Sequence, residues 1–184
     1  MAEASRRRLL ELFKARAVSF GKFKLASGKE SSYYINSKKA LFHSEAVALL
    51  AEALWEETRD LDIQAVGGLE VGAIPMAAAL VMRYHQEGRQ IEGFFVRKQA
   101  KAHGSQERIE GVLPPGARVA VVDDVLTTGG SALQAVEEVE KAGGTVAAVV
   151  CIVDRLEGAR ALFETKYIYR PIFTIQDFGI APPG

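Results

Sequence analysis

Two adjacent carboxylates and the hydroxyl- and glycine-rich run behind them carry the strongest chemical signal in this chain: Asp123-Asp124-Val125-Leu126-Thr127-Thr128-Gly129-Gly130-Ser131. The run follows apolar residues 119–122 and opens a segment, 131–142, whose apolar spacing predicts a helix. Backbone N–H groups and the dipole at a helix N-terminus form an anion site, and the Thr and Ser hydroxyls add donors. A phosphate fits that loop. Carboxylates beside it repel a phosphate, so Asp123 and Asp124 suit neutral sugar hydroxyls or a bound Mg²⁺, which prefers oxygen ligands. The ligand class implied is a sugar phosphate. The loop is neither a P-loop, since no Lys-Ser/Thr pair follows its glycines, nor a G-x-G-x-x-G turn.

Three other segments hold residues of the right types. Arg97-Lys98-Gln99-Ala100-Lys101-Ala102-His103-Gly104 lies in a long polar excursion between apolar runs, a candidate lid. Its cations and histidine suit a leaving group as charged as pyrophosphate; a solvated charge cluster is the alternative. Gly67-Gly68-Leu69-Glu70-Val71-Gly72 is a glycine-rich turn before a helix, where glycine permits unusual dihedrals and close approach of a ligand. Arg155, after Asp154, offers a planar fork suited to a carboxylate; its alternative is a surface ion pair with Asp154 or Glu157. His43 and His85 sit in helical contexts and receive no role. Cys151, the single cysteine, reads as a small buried hydrophobe.

The elements that must position these residues alternate. An amphipathic helix within residues 1–20 leads into a loop-like, hydroxyl-rich segment, 21–39. Ser44 stands as the N-cap of the next helix, with Val47, Leu50, Ala51, Leu54 and Trp55 on one face. Strands are predicted over 63–66, 91–96, 119–122 and 145–153, with helices from Pro75 to Tyr84 and over 131–142, the latter stopped by Gly143-Gly144. This rhythm predicts an α/β fold with a mostly parallel sheet flanked by helices. The chemical segments each follow a predicted strand, and open α/β sheets bind ligands at those carboxyl ends. The tail from Lys166 is less regular, and its aromatics (Tyr167, Tyr169, Phe173, Phe178) read as packing.

Composition narrows the classes further. At 184 residues the chain fits one domain, 1–184. With 48% hydrophobic and 25% charged residues it can bury a core. Its 23 Lys+Arg balance 23 Asp+Glu, so no basic excess points to nucleic acid or an anionic membrane. The longest apolar stretches, 73–82 and 146–153, are about half the ~20 residues of a spanning helix, and the N-terminal helix is too charged for a signal peptide. A cytoplasmic protein is expected.

The acidic run with its loop resembles the 5-phosphoribosyl-1-pyrophosphate (PRPP) motif of type I phosphoribosyltransferases. That resemblance implies that Asp123 and Asp124 contact the ribose hydroxyls and that the loop ending in Thr127, Thr128, Gly129, Gly130 and Ser131 holds the 5′-phosphate. The pattern R-K-x-x-K-x-H-G at 97–104 resembles the mobile catalytic loop of orotate phosphoribosyltransferases. It implies that Arg97, Lys98, Lys101 and His103 touch pyrophosphate, the loop closing over the neighbouring subunit's site in a homodimer. Residues 25–36 resemble the S-G-x-x-S-x-x-Y segment of the same enzymes, which lies under the pyrimidine; some members carry a base-contacting lysine where Ala26 stands. The family's 67–72 equivalent contacts pyrophosphate through its backbone. Arg155, with Thr127, matches the residues that grip the orotate carboxylate.

The resemblance covers roughly residues 20–155. It implies a type I phosphoribosyltransferase fold with a small hood from about residues 1–40 and the C-terminal tail. It further implies orotate and PRPP as substrates, Mg²⁺ as cofactor, and Lys98, Lys101 and His103 as catalytic residues. Two alternatives share the scaffold: an enzyme for a purine or uracil, and a PRPP-sensing regulatory protein.

Overall fold

A computed structural model describes residues 1–24, 30–99 and 108–182. Its main sheet is built on β7 (Thr145–Asp154), whose residues are buried at every position after the first. Such an unbroken apolar strand is stable only when both of its faces are covered. β7 pairs in parallel with β6 (Arg118–Leu126) on one side and β8 (Ile168–Thr174) on the other. β3 (Ala65–Gly67) joins the far edge of β6, β4 (Glu92–Val96) joins β3, and β5 (Ile109–Gly111) closes that edge antiparallel to β4. The order is β5-β4-β3-β6-β7-β8, an α/β fold with a mostly parallel sheet, as the alternation of elements predicts.

The period of two along a strand sends alternate residues to opposite cores. Ala120, Val122, Val150 and Ile152 face a layer containing Leu50, Leu54, Met76 and Leu80, from α3 (Ser44–Thr58) and α4 (Ala73–Gln86). Val119, Val121, Val149 and Cys151 face the other layer, where α5 (Gly130–Lys141) presents Ala132, Ala135, Val136 and Val139 at helical spacing. Cys151 is fully buried, as expected. Tyr169, Phe173 and Phe178 are buried too, which confirms these three as packing, while Tyr167 is half-buried and donates its hydroxyl to Glu140.

Several boundaries differ from expectation. The N-terminal helix, α1, is Glu3–Ala17, and the segment expected to be a loop is largely a hairpin, β1 (Val18–Lys24) with β2 (Glu30–Ile35), followed by the single turn α2 (Lys38–Leu41). Cross-strand aromatics, Phe23 and Tyr34 at 5.7 Å between ring centroids, stabilise this pair. His43, not Ser44, occupies the cap position of α3, a shift of the size that helix ends ordinarily show. α6 (Ala159–Phe163) precedes the tail, which holds β8 and a 3-10 turn, Ile175–Phe178. β8 therefore edges the main sheet, and the 3-10 turn packs with α1.

Arg170 on β8 ties this edge strand to the end of α3. Its guanidinium donates to Asp60 Oδ1 and Oδ2 at 2.7 and 2.9 Å and to the Glu57 carbonyl at 2.9 Å. The hydrogen bond from Arg170 holds the Asp60 carboxyl below its ordinary range. A carboxyl lowered on folding stabilises the native state above its unfolded value, near 3.8, and loses that contribution as pH falls through the folded value. Arg170→Ala should lower stability by about 1 kcal/mol at pH 7, solvent screening keeping it modest. Urea unfolding should show this gap shrinking below about pH 4; a gap independent of pH would assign the loss to packing alone.

Candidate active site

β3 has β4 on one side and β6 on the other, and the chain reaches β4 first and then crosses back to β6. The strand order reverses at this point, leaving a crevice beyond the carboxyl ends of β3 and β6. Loop 67–72 lies against β6 more closely than a side chain allows. A Cβ on Gly68 would stand 2.0 Å from the Val122 carbonyl oxygen, and one on Gly72 would stand 2.5 Å from Asp124 Cγ. Gly72 has an ordinary φ of −61°. Close packing against β6, rather than unusual dihedrals, explains glycine at these two positions.

The acid pair lies inside the strand, not after it: Asp123 is in register with Cys151, and Leu126 with Asp154. Backbone pairing continues past the point where hydrophobicity stops. Asp123 is 5% exposed; its Oδ1 accepts the Asp124 N–H at 2.9 Å, and its Oδ2 is buried with no partner. Burial first, then the neighbouring Asp124 charge, pushes the Asp123 carboxyl well up. Asp124 Oδ1 accepts the Val125 N–H at 3.0 Å. Its Oδ2 accepts the Ser37 hydroxyl and lies 3.4 Å from Lys38 Nζ. A polar cavity of about 130 Å³ is lined by both aspartates with Lys38, Glu70, Lys98 and Ser131. Among the described residues no cluster of three or more acids, histidines or cysteines could hold a metal. The unpartnered Asp123 Oδ2 and the neighbouring Asp124 carboxylate are oxygen donors of the kind that would suit a Mg²⁺.

Val125 and Leu126 finish β6, and the loop then turns into α5. Gly129 adopts φ 90° at the cap of that helix, and a Cβ there would meet Phe163 at 2.7 Å; conformation and space both require glycine. The N–H groups of the helix's first turn have no intrahelical partner. Thr128, Gly130 and Ser131 are exposed and Thr127 half-buried, which leaves these N–H groups and hydroxyls open to the crevice.

The end of β7 is fastened to this loop. Arg155 N donates to the Leu126 carbonyl at 2.9 Å, and Ala159 N to that of Thr127 at 3.2 Å. The Arg155 side chain, 12% exposed, lies 2.9 Å from Glu157 Oε1. Its Nε also donates to the Tyr33 hydroxyl at 3.0 Å, with the guanidinium carbon 4.8 Å from that ring's centroid. The ion pair with Glu157 therefore exists, but in a sheltered position under the hairpin. Asp154 is fully buried and accepts the Leu156 N–H at 2.7 Å.

Of the cationic segment, Lys98 reaches the cavity, and its N–H donates to Glu70 Oε1 at 2.9 Å. Arg97 sits 3.7 Å from Glu110. Lys101 and His103, like Ala26, Ser27 and Lys29, lie outside the described residues. Ser37, Lys38 and Arg108 lie outside the motifs, and Glu70 sits inside the glycine turn without being singled out there. Arg108 braces the base of the excursion, donating to the carbonyls of Arg97 and Lys98 and pairing with Glu138 at 3.2 Å. These positions become visible only when residues distant in sequence are brought together.

Residues 37–183 match the phosphoribosyl transferase domain family. The orotate phosphoribosyltransferase of Mycobacterium avium is 44% identical over 181 residues, spanning 98% of this chain and 99% of its own. The Mycobacterium tuberculosis H37Rv orotate phosphoribosyltransferase is similar in structure. Its Fe(III) dicitrate complex has a TM-score of 0.85 at 43% identity, and its PRPP complex 0.81 at 38%; each comparison covers 96% of this chain and 99% of that one. With the acid pair, the helix-capped loop and the glycine turn converging at one switch point, the chain belongs to the phosphoribosyltransferase family, among the orotate phosphoribosyltransferases.

Proposed function

We propose that this protein transfers the 5-phosphoribosyl group from PRPP to orotate, giving orotidine 5′-monophosphate and pyrophosphate, in pyrimidine nucleotide synthesis. The observation that carries the reading is the cavity at the β3/β6 switch point, where Asp123 and Asp124 adjoin Ser131 at the start of α5 and Lys98 stands across from them. Asp123 and Asp124 accept hydrogen bonds from the ribose hydroxyls. The loop 127–131 holds the 5′-phosphate through backbone N–H groups and hydroxyls. Orotate N1 gives up its proton to water and bonds to the anomeric carbon as the bond from that carbon to the pyrophosphate oxygen breaks, the electron pair leaving with pyrophosphate. Lys98, with Arg97, Lys101 and His103 of the same segment, stabilises the charge that develops there. Asp123 and Asp124 would hold Mg²⁺ nearby, which when bound would add charge neutralisation at the phosphates. Orotate is already acidic, so the reaction demands no strong general base.

Arg155 with Thr127 receives the orotate carboxylate, supported by the sheltered position of the guanidinium beside the phosphate loop. The chain acts as one domain, 1–184, in which about residues 1–40 form the hood with the C-terminal 3-10 turn that packs on α1, whereas β8, expected in the hood with the rest of the tail, belongs to the main sheet. It works as a cytoplasmic homodimer with the 97–104 segment serving the neighbouring site. Support for pairing comes from exposed Ile74, Met82 and Val112 near a largely apolar groove between α4 and β4–β5. No described helix is long and apolar enough to cross a membrane.

Loss of orotate absorbance on mixing protein, PRPP and Mg²⁺ tests the activity, with uracil, adenine and hypoxanthine in parallel. Orotate alone should be consumed, and chelation of Mg²⁺ should stop the reaction. Arg155→Ala should raise the KM for orotate roughly tenfold or more, the worth of a charge-assisted hydrogen bond, while PRPP binding holds. Consumption of another base in place of orotate would overturn the assignment.

A further inference from the structure

The acid pair is held unequally. Asp123 leaves one carboxylate oxygen buried without a partner, whereas Asp124 receives donors on both of its oxygens. Two of those donors come from the N-terminal segment, far away in sequence. Ser37, 1% exposed at the turn between β2 and α2, donates its hydroxyl to Asp124 Oδ2 across 87 positions. Lys38 brings its ammonium to 3.4 Å from the same oxygen while lining the cavity that also contains Lys98. On the opposite side Gly72 lies so close that a Cβ would overlap the carboxylate. Asp124 is clamped between loop 67–72 and the start of α2, and its orientation is set before any ligand arrives.

We propose that Ser37 and Lys38 form a positioning pair for PRPP. Ser37 fixes the rotamer of Asp124, so that its carboxylate is presented toward the sugar without reorganisation on binding. Lys38 is the counter-charge to two adjacent carboxylates, which otherwise repel each other and the phosphates that must settle beside them. Being 46% exposed on its side chain, Lys38 also adds a fixed positive charge at the mouth of a cavity that receives a polyanion. The pair acts on the sugar phosphate and not on the base, which Arg155 addresses from the end of β7. The identity of the ligand as PRPP rests on the proposed function.

Calorimetric titration with PRPP and Mg²⁺, alongside steady-state kinetics, tests the pair in Ser37→Ala, Lys38→Met and Lys38→Arg. PRPP affinity should fall about tenfold in the first two, as expected for loss of a hydrogen bond to a charged group. The KM for orotate should stay within about twofold, and Lys38→Arg should recover most of the affinity. Lys39→Met, altering the adjacent lysine, should match the parent. Should Ser37→Ala fail to fold, Lys38→Met, at an exposed position, decides the matter. Unchanged PRPP affinity in Lys38→Met, an equal rise in both KM values, or the same loss in Lys39→Met would overturn the pair. If the parent protein binds PRPP without consuming orotate, only the choice of base fails. If it binds no PRPP, the proposed function and this inference fail together.

Discussion

Asp123→Asn is expected to lower kcat/KM about 10²-fold and, at neutral pH, to raise the melting temperature. The two effects share a cause. The Asp123 carboxylate is buried with Oδ2 unpartnered and Asp124 beside it, so its charged form opposes folding, and burial raises its pKa. A carboxyl raised on folding binds its proton more tightly in the native state. The contribution of this one carboxyl to native stability is therefore greatest below the unfolded value near 3.8 and falls as pH rises from there through the folded value. Asparagine keeps an oxygen to accept the Asp124 N–H and removes the charge, but cannot serve a sugar hydroxyl or a cation equally well. Thermal melts from pH 3 to 8 should show the variant gaining on the parent as pH rises. A variant that is less stable at pH 7, or that turns over at the parental rate, would show that the carboxylate is a structural acid and nothing more. Sites that hold uncompensated charge commonly trade stability for activity in this way.

Such a residue is legible in the sequence because it violates the pattern around it. An acid pair at the end of an apolar strand, with Thr, Gly and Ser behind it, breaks the rule that strand interiors are apolar. The same logic made the central strands legible: β6 and β7 are covered on both faces and read as continuous apolar runs. Where a strand has one open side the signal fades. β8 contains Arg170 and Pro171, and a proline argues against a central strand. Its edge position in the sheet makes both tolerable, with Pro171 in register with Cys151 on the paired side. The hairpin β1–β2 leaves Phe20 and Tyr34 exposed, so burial imposes little alternation on it. β5 has three residues, none buried.

The extent of β6 was obscured by a different effect. Hydropathy ends at Val122, but backbone hydrogen bonding is indifferent to side-chain polarity and carries the ladder to Leu126. Ser37 and Lys38 mark the true limit of sequence reading. Neither belongs to a motif, their partner is more than eighty positions away, and a serine followed by lysines at a helix start is unremarkable alone. Only the fold, by laying α2 against the end of β6, makes them part of the site.

Gly68→Ala should be the most damaging of the small substitutions, through a single methyl group. The added Cβ would lie 2.0 Å from the Val122 carbonyl oxygen and 2.8 Å from the Ala73 Cβ, and a backbone atom in the middle of a sheet cannot swing aside as a flexible side chain can. Either loop 67–72 lifts or β3 and β6 separate, at a cost of about 2–3 kcal/mol. For a chain of this size that corresponds to roughly 5–10 °C in melting temperature. The displaced elements are the two walls of the crevice, so the fraction that stays folded should also bind PRPP more weakly. Gly130→Ala separates steric from chemical causes: nothing lies within 4 Å of its added Cβ, and alanine favours the helix it begins. That variant should unfold at or slightly above the parental temperature, and any loss of PRPP affinity in it reports on the approach of the phosphate to the loop. Parental stability in Gly68→Ala, measured by urea unfolding, would mean that loop 67–72 yields readily. Glycine at 68 would then serve the ligand rather than the contact with β6.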